Sequence, residues 1–336
     1  MSSSSSNAEP TIVSVIMPAY NAALYIRAAI ESVQLQTMRA IEIIVIDDFS
    51  TDQTAAIVQK LSNQDGRVRY ERMAQNVGPA ASRNRGLELA RGEWVALLDA
   101  DDRFHPERLE KLLKIAISNS VDMISDNVLL ITESDGTTRH LIPENILSEV
   151  RQLSFLEFIR GCYYDKNTLR RSNYVFMHPI FRKAFLDLNE LKYNSVSRNG
   201  EDFLFYLDCL AANAKWYIIP DPMYFYSIRD GSLTEIVSLN DRQLMVEKIQ
   251  ELLEHPRVRS DKILAEAVVR HYKLISPYYY YQSFREAFRK GSARDVFRVF
   301  ASDKAAAILI LRQLGGRAPQ YFLKVIRVKI QSLKSI

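Results

Sequence analysis

Cysteine is scarce in this sequence, and histidine is scattered. The two cysteines among 336 residues, Cys162 and Cys209, lie 47 positions apart, which is not a ligand-like spacing. None of the histidines pairs at such a spacing either; they stand at positions 105, 140, 178, 255 and 271. We therefore expect no disulfide framework and no zinc site, and we interpret each histidine as structural. The scarcity fits a protein of a reducing compartment.

Long apolar runs are also missing. No stretch of about 18 or more apolar residues occurs, so the sequence predicts no transmembrane helix. The first residues, MSSSSSNAEP, have neither the basic region nor the apolar core of a secretory signal. We predict a disordered tail over residues 1–10 and a cytoplasmic location.

Charge is distributed unevenly along the chain. Residues 240–336 carry 19 basic and nine acidic side chains, a net of +10, whereas the remainder has a net of −6. The acidic part could hold a cation, and the basic part could face an anionic membrane or nucleic acid. Because no groove-reading motif is present, we predict no nucleic-acid partner. The apolar and basic segment 317–336 predicts either an interfacial helix or a helical lid on the preceding domain.

Short apolar runs alternate with segments of helical periodicity over about 100 residues in the first part of the chain. The runs TIVSVIMPAY, IEIIVIDDF, VRYERM and EWVALLDADD read as strands, with a helical pattern after each of the first three. This alternation predicts an α/β fold with a mostly parallel sheet flanked by helices. In such sheets ligands bind beyond the carboxyl ends of the strands. From about residue 240 onward the pattern is helical.

Three of these predicted strands end in polar residues, which should meet at one edge of the sheet. They are Pro18 to Asn21, Asp47 with Asp48, and Asp99 to Asp102. Carboxylates packed this closely repel one another unless a cation or a structural role compensates for the repulsion. Acids are also favoured at the start of a following helix, an alternative that fits Asp102 better than Asp99.

Four motifs in order resemble the family 2 glycosyltransferases with the GT-A fold. They are VSVIMPAYN, IEIIVIDDFSTD, NVGPAASRNRGLELARGEWVALLDADD and GEDFLF, and the resemblance covers roughly residues 11–235. It implies a GT-A domain with a Rossmann-like sheet over residues 11–238, with a nucleotide-binding half at 11–120 and an acceptor half at 121–238. A helical, basic extension follows at 239–336. The implied activity is an inverting, metal-dependent transfer of a sugar from a nucleotide donor.

The resemblance also implies which residues bind the donor: Pro18, Ala19, Tyr20, Asn21, Asp48, Arg83, Asp99, Asp101 and Arg229. Asp48 matches the carboxylate that accepts a hydrogen bond from uracil, and Tyr20 could stack on the base or pack as an ordinary aromatic. Arg83 stands where family members contact the diphosphate or uracil, and its alternative is a solvated helix charge. Arg229 replaces the histidine of a family motif. An arginine cannot ligate a metal but binds phosphate well.

The remaining implied roles concern the metal and the chemistry. Asp99 and Asp101 match the D-x-D motif that holds Mg²⁺ or Mn²⁺, with Asp101 the expected main ligand and Asp102 adjacent to it. Asp202 matches the base that deprotonates the acceptor hydroxyl, and Glu201 is the second candidate. Both acids could instead be favoured simply at a helix start.

The overall pattern resembles bacterial exopolysaccharide glucosyltransferases of the succinoglycan type. The resemblance implies UDP-glucose as donor and a growing, polyprenyl-linked saccharide as acceptor. It also implies peripheral contact with the cytoplasmic face of the inner membrane. The alternatives are another UDP-sugar used for lipopolysaccharide or capsule, or a metal-binding, receiver-like signalling module. A receiver would leave Asp99, Asp101, Glu201 and Asp202 unexplained and would need a strand-end lysine, which the sequence lacks.

Overall fold

The computed structural model describes residues 12–162, 173–229 and 237–302. Within these ranges, one sheet contains ten strands. They are β1 (Val13–Ala19), β2 (Ile41–Asp47), β3 (Val68–Arg72), β4 (Trp94–Leu97), β5 (Arg103–Phe104), β6 (Met123–Thr132), β7 (Thr138–His140), β8 (Arg151–Gln152), β9 (Ile180–Arg182) and β10 (Trp216–Ile228). The predicted tail and the segment 317–336 lie outside the described residues.

Eleven α-helices are described in the same ranges. They are α1 (Ile26–Gln34), α2 (Thr54–Gln64), α3 (Pro79–Leu89), α4 (Arg108–Asn119), α5 (Phe155–Gly161), α6 (Lys183–Leu188), α7 (Glu201–Ala211), α8 (Leu239–Glu254), α9 (Pro256–Ser260), α10 (Lys262–Arg289) and α11 (Ala293–Ser302). Capping boxes start two of them, through Ser154 with Glu157 at α5 and through Ser238 with Asp241 at α8. No helix in the described ranges is long and apolar enough to cross a membrane.

The principal strands follow the order β3-β2-β1-β4-β9-β6-β10-β5. The pairs β3–β2, β2–β1, β1–β4 and β6–β10 are parallel, and β6 and β10 share ten residue pairs. Shorter strands add antiparallel pairs, such as β9 between β4 and β6. The predicted α/β sheet flanked by helices is therefore confirmed, although antiparallel strands interrupt it. Because β2 and β4 lie on opposite sides of β1, the strand order reverses there, where such sheets bind ligands.

Apolar residues fill β1 and β2 because helices cover both faces of the sheet. All seven residues of each strand are buried. Two of the polar exceptions bond to each other, since Ser14 Oγ donates a 2.6 Å hydrogen bond to Glu42 Oε1. Burial alone would raise the pKa of Glu42, but donors from Ser14, Arg91 and Arg69 outweigh it and lower that pKa. These hydrogen bonds keep the buried carboxylate charged within the sheet.

The chain divides into two compact units, Met1–Val268 and Val269–Ile336. The sheet and helices α1 to α9 belong to the first unit, so α8 and α9 group with the sheet although the predicted extension begins at residue 239. Within the second unit, Phe284, Ala287 and Val296 form a small buried cluster.

Candidate active site

A cleft of about 530 Å³ opens at the carboxyl ends of β1, β2 and β4, beside the start of α7. Eleven of the twelve predicted site residues line it: Pro18, Ala19, Tyr20, Asn21, Asp48, Arg83, Asp99, Asp101, Glu201, Asp202 and Arg229. The twelfth, Asp102, is buried and is not part of the lining. Residues as far apart in the sequence as Pro18 and Arg229 therefore meet in one cavity.

Hydrogen bonds from backbone amides fix the part of the cleft that follows β1 and β2. The buried carboxylate of Asp48 accepts from the amides of Val77 and Gly78, both at 2.8 Å, and so holds the loop before α3. Asn21 has a positive φ of 49° and accepts a hydrogen bond from the Thr51 amide. Tyr20 is 51% exposed within the lining, where a base or sugar ring could stack on it.

Arg83 is buried at the centre of the cleft and is not a solvated helix charge. Its guanidinium pairs with Asp99 at 2.9 Å and with Glu201, and it lies 3.7 Å from Asp202. Helix α3 carries Arg83 this deep because it packs closely on β1, where a Cβ on Gly86 would clash with Ile16. The cluster joins an acid at the end of β4 to the two acids at the start of α7.

Asp202 stands in the first turn of α7, beside Glu201. Burial raises the pKa of Asp202 to about 7, with Arg83 opposing the rise and Glu201 adding to it. Its Oδ1 is buried without a hydrogen-bond partner in the part of the chain that the structure describes. A carboxylate with a pKa near neutrality and a free oxygen is suited to accept a proton at physiological pH.

The loop before α7 is held by the first turn of α8. The buried Asp241 accepts hydrogen bonds from the amides of Arg198 at 2.9 Å and Asn199 at 3.3 Å, besides its bonds to Ser238. Gly200, which follows this loop, is the N-cap of α7 and has a φ of 82°. The start of α8 therefore helps to position the two acids of α7.

The variant Gly200→Ala should lower both stability and any activity that depends on Asp202. An alanine in the left-handed region costs about 1–2 kcal/mol, and its Cβ would press on the Met245 side chain. Chemical denaturation would measure the loss. Gly66→Ala is the matched control, because nothing lies within 4 Å of a Cβ at Gly66. Equal stability of the two variants would contradict the prediction.

The three acids that follow β4 have different partners. Asp101 pairs with Arg229, whose guanidinium also lies over the Tyr25 ring. Asp102 accepts from the Tyr224 hydroxyl and from the Ser227 amide, both at 2.8 Å. Burial, reinforced by the charges of Asp101 and Asp99, raises the pKa of Asp102 well above its usual range. Burial would raise the pKa of Asp99, but the charge and the hydrogen bond of Arg83, together with an interaction with His178, outweigh it and lower that pKa.

These acids fit a divalent cation by the chemistry of their donor atoms. Carboxylate oxygens are the ligands that Mg²⁺ and Mn²⁺ prefer. Burial raises the pKa values of Asp101 and Asp102, repulsion between the acids adds to the rise, and a cation would relieve that repulsion. Ligand atoms of Asp99, Asp102 and His178 lie within 4.8 Å of one another. Asp101, the expected main ligand, is not part of this group and pairs with Arg229 instead.

His178 is the residue that the sequence interpretation missed. It was predicted to be structural, yet it lines the cleft next to the acids. Burial lowers its pKa to about 4, so its ring is neutral at pH 7. The position of His178 in the sequence did not indicate a role in the site, because the residues next to it in the fold come from distant parts of the chain. Other residues of the lining that were not predicted include Asn76, Ser82, Phe176 and Arg198.

The sheet order and the cleft lined by acids agree with a GT-A fold, and comparisons with known proteins name the family. Residues 14–177 match the family described as "Glycosyl transferase family 2". The chain is 34% identical over 266 residues to the succinoglycan biosynthesis protein ExoU of Rhizobium meliloti, covering 79% of this chain and 75% of ExoU. The chain belongs to glycosyl transferase family 2 and is a glycosyltransferase, which excludes the receiver-like alternative.

Two further proteins are similar. The succinoglycan biosynthesis protein ExoO of Rhizobium meliloti is 34% identical over 236 residues, which are 70% of this chain and 66% of ExoO. The crystal structure of Staphylococcus aureus TarS 1–349 in complex with UDP-GlcNAc has a TM-score of 0.64 at 21% identity. That match covers 87% of this chain and 91% of the TarS chain, and it confirms the GT-A fold.

Proposed function

We propose that this protein transfers glucose from UDP-glucose to a growing, lipid-linked saccharide in exopolysaccharide biosynthesis, with inversion at the anomeric carbon. The similarity to two succinoglycan biosynthesis proteins supports the pathway, and the UDP-GlcNAc complex of TarS supports a uridine nucleotide donor. Peripheral contact with the cytoplasmic face of the inner membrane belongs to the same proposal. Its support is the net charge of +10 over residues 240–336.

The observation that carries the proposal is the pair of acids at the start of α7 facing the end of β4 across Arg83. Asp202 takes the proton of the acceptor hydroxyl as the acceptor oxygen bonds to the anomeric carbon. The bond from that carbon to the UDP oxygen breaks in the same displacement, so UDP leaves with the bonding electrons. Glu201, held by Arg83, is placed to hydrogen-bond hydroxyl groups of a sugar.

The donor half of the cleft has groups for each part of a nucleotide sugar. Tyr20 offers a ring face to uracil, and Asp48 lines the base pocket while it anchors the loop before α3. Arg229 binds the pyrophosphate once it leaves Asp101. Asp99, Asp101 and Asp102 would hold a Mg²⁺ or Mn²⁺ ion, which would neutralise the pyrophosphate and make it a better leaving group. The geometry that positions Asp202 is independent of that ion.

UDP release by the purified protein tests this proposal. The assay uses a panel of UDP-sugars, each with Mn²⁺, with Mg²⁺ or with a chelator, and a membrane extract that supplies lipid-linked acceptor. We expect metal-dependent release from UDP-glucose, reduced by at least about 100-fold in Asp101→Ala because the cation site loses a carboxylate. Glu110→Gln, an exposed acid on α4 outside the cleft, is the matched control and should retain wild-type rates.

Each of the other outcomes would reject a different part of the proposal. Release from UDP-GlcNAc and not from UDP-glucose would reject glucose as the donor and favour the sugar bound by TarS. Full activity with a chelator, unchanged in Asp101→Ala, would reject the metal. Retention of the donor's configuration in the product would reject inversion. No release from any donor with acceptor present would reject the proposed substrate class.

A further inference from the structure

The imidazole of His178, which lines the cleft, lies beside the carboxylates of Asp99 and Asp102. One ring nitrogen of His178 and one oxygen each of Asp99 and Asp102 lie within 4.8 Å of one another. Ligands bound about 2.1 Å from a single ion lie at most about 4.2 Å apart, so small side-chain movements would let the three atoms converge on one cation.

The environment of His178 points to a missing partner. The side chain is only 3% exposed, yet its Nε2 has no hydrogen-bond partner within the ranges that the structure describes. Buried polar atoms are rarely left unsatisfied, because an unmade hydrogen bond costs about 1–3 kcal/mol. The residue also has a φ of 43°, a left-handed conformation that is unfavourable for a residue with a Cβ. Two unfavourable features therefore coincide at one cleft residue.

Buried groups hold this conformation in place. Arg108, fully buried with its ion-pair partner Asp126, donates a 2.8 Å hydrogen bond to the His178 carbonyl. The imidazole stacks on the Tyr224 ring, with centroids 4.2 Å apart and planes at 5°. The Tyr224 hydroxyl donates to Asp102, so one tyrosine orients both the imidazole and a carboxylate. Groups that orient metal ligands in this way are usual around metal sites.

We propose that His178 is a nitrogen ligand of the active-site cation, together with Asp99 and Asp102, and that it makes the site prefer Mn²⁺ to Mg²⁺. Mg²⁺ is a hard ion that takes oxygen ligands, whereas an imidazole suits transition metals. The assignment rests on the cation of the proposed function, and it adds to the expected D-x-D carboxylates a ligand from the segment before β9. Asp101, which pairs with Arg229 in this structure, would join these ligands once Arg229 turns to the pyrophosphate.

Electron spin-echo spectroscopy of the intact protein with Mn²⁺ and UDP tests this assignment. We expect ¹⁴N modulation from a coordinated imidazole in the wild type and none in His178→Gln. The dissociation constant for Mn²⁺ should rise at least about 10-fold in that variant, while the one for Mg²⁺ changes less. His140→Gln, a partly exposed histidine of β7 outside the cleft, should behave as the wild type.

A labelled wild-type sample makes the test independent of variant folding. Replacing ¹⁴N histidine with ¹⁵N histidine should convert the modulation to the ¹⁵N pattern. Mn²⁺ binding without nitrogen modulation, or modulation that persists in a folded His178→Gln, would overturn the assignment and leave the proposed function intact. Failure of Mn²⁺ to bind with UDP, alongside turnover in a chelator, would overturn both the assignment and the metal of the proposed function.

Discussion

The variant Asp202→Asn should lose about two to four orders of magnitude in kcat, because an amide cannot accept the proton of the acceptor hydroxyl. Its KM for the UDP-sugar should stay within a few-fold of the wild type, since the asparagine side chain would occupy the same volume beside Arg83. Steady-state kinetics with the donor found in the UDP-release assay would measure both constants. The split between kcat and KM separates a proton acceptor from a residue that only binds the donor.

The pH dependence of the wild type should identify the same group. Because burial raises the pKa of Asp202 to about 7, the side chain is protonated and inactive below that pH. We expect kcat/KM to rise about tenfold per pH unit on the acid side and to level off above about pH 7. A profile that is flat between pH 5 and 8 would contradict the assignment of Asp202 as the base.

Stability should change in the opposite direction to activity. The pKa of Asp202 is about 7 in the folded protein, above its value near 3.9 in an unfolded chain, so the folded state binds more protons between these values. Its contribution to stability is therefore present at low pH and is lost as pH rises through about 7. An asparagine does not ionise, so Asp202→Asn should avoid this loss of stability and should raise the melting temperature at pH 8.

A second acid of the same helix provides the matched control. Asp208 lies on α7 and pairs with Lys248, and it is not part of the cleft lining. Asp208→Asn should keep kcat within about two-fold of the wild type. If Asp208→Asn lost as much activity as Asp202→Asn, the losses would reflect damage to α7 and not the removal of a base.

The strand pattern and the acids that follow the strands could be predicted from local sequence rules, whereas the roles of Glu201 and Asp202 came from the family resemblance. Parallel strands covered on two faces are almost continuously apolar, and this made β1, β2 and β4 visible. The edge at which their carboxyl ends meet then followed from topology, so Asp48 and Asp99 could be placed near one another. The cleft lining agrees with that placement.

Long-range contacts could not be read in the same way. His178 reaches the site through a strained backbone that Arg108 and Tyr224 hold, and no periodicity encodes such a conformation. Asp241 looks like an ordinary helix cap in the sequence, yet it also binds the amides of the loop before α7. A boundary drawn at residue 239 from composition separates this acid from the loop that it supports.

Arg83 shows the same limitation, since its sequence position allowed either a solvated charge or a site residue. Burial decides between these two interpretations, because one buried guanidinium faces three carboxylates.

We expect Arg83→Met to lose about 3–5 kcal/mol of unfolding free energy at pH 7.5, since it leaves these acids without their cation. Urea denaturation would measure the loss, and Arg83→Lys should recover part of it by restoring the charge.

Arg85, two positions further along α3, is the matched control. It pairs with Glu71 and Glu88, but its side chain is 38% exposed, so water screens these pairs. Arg85→Met should lose much less unfolding free energy than Arg83→Met, because surface ion pairs contribute little to stability. Equal losses in the two methionine variants would mean that the buried cluster contributes no more to stability than a surface ion pair.

Activity provides the decisive readout for Arg83, because its charge opposes the rise in the pKa of Asp202. Without that charge the pKa of Asp202 should rise further. The acid limbs of the two kcat/KM profiles, one for Arg83→Lys and one for Arg83→Met, should therefore differ. We expect the lysine variant to keep the limb near that of the wild type and the methionine variant to shift it to higher pH. A limb that stays in place in a folded Arg83→Met protein would show that Arg83 does not set the pKa of the base. In that case Arg83, between Asp99 and Glu201, would hold the two halves of the cleft together without affecting proton transfer to Asp202.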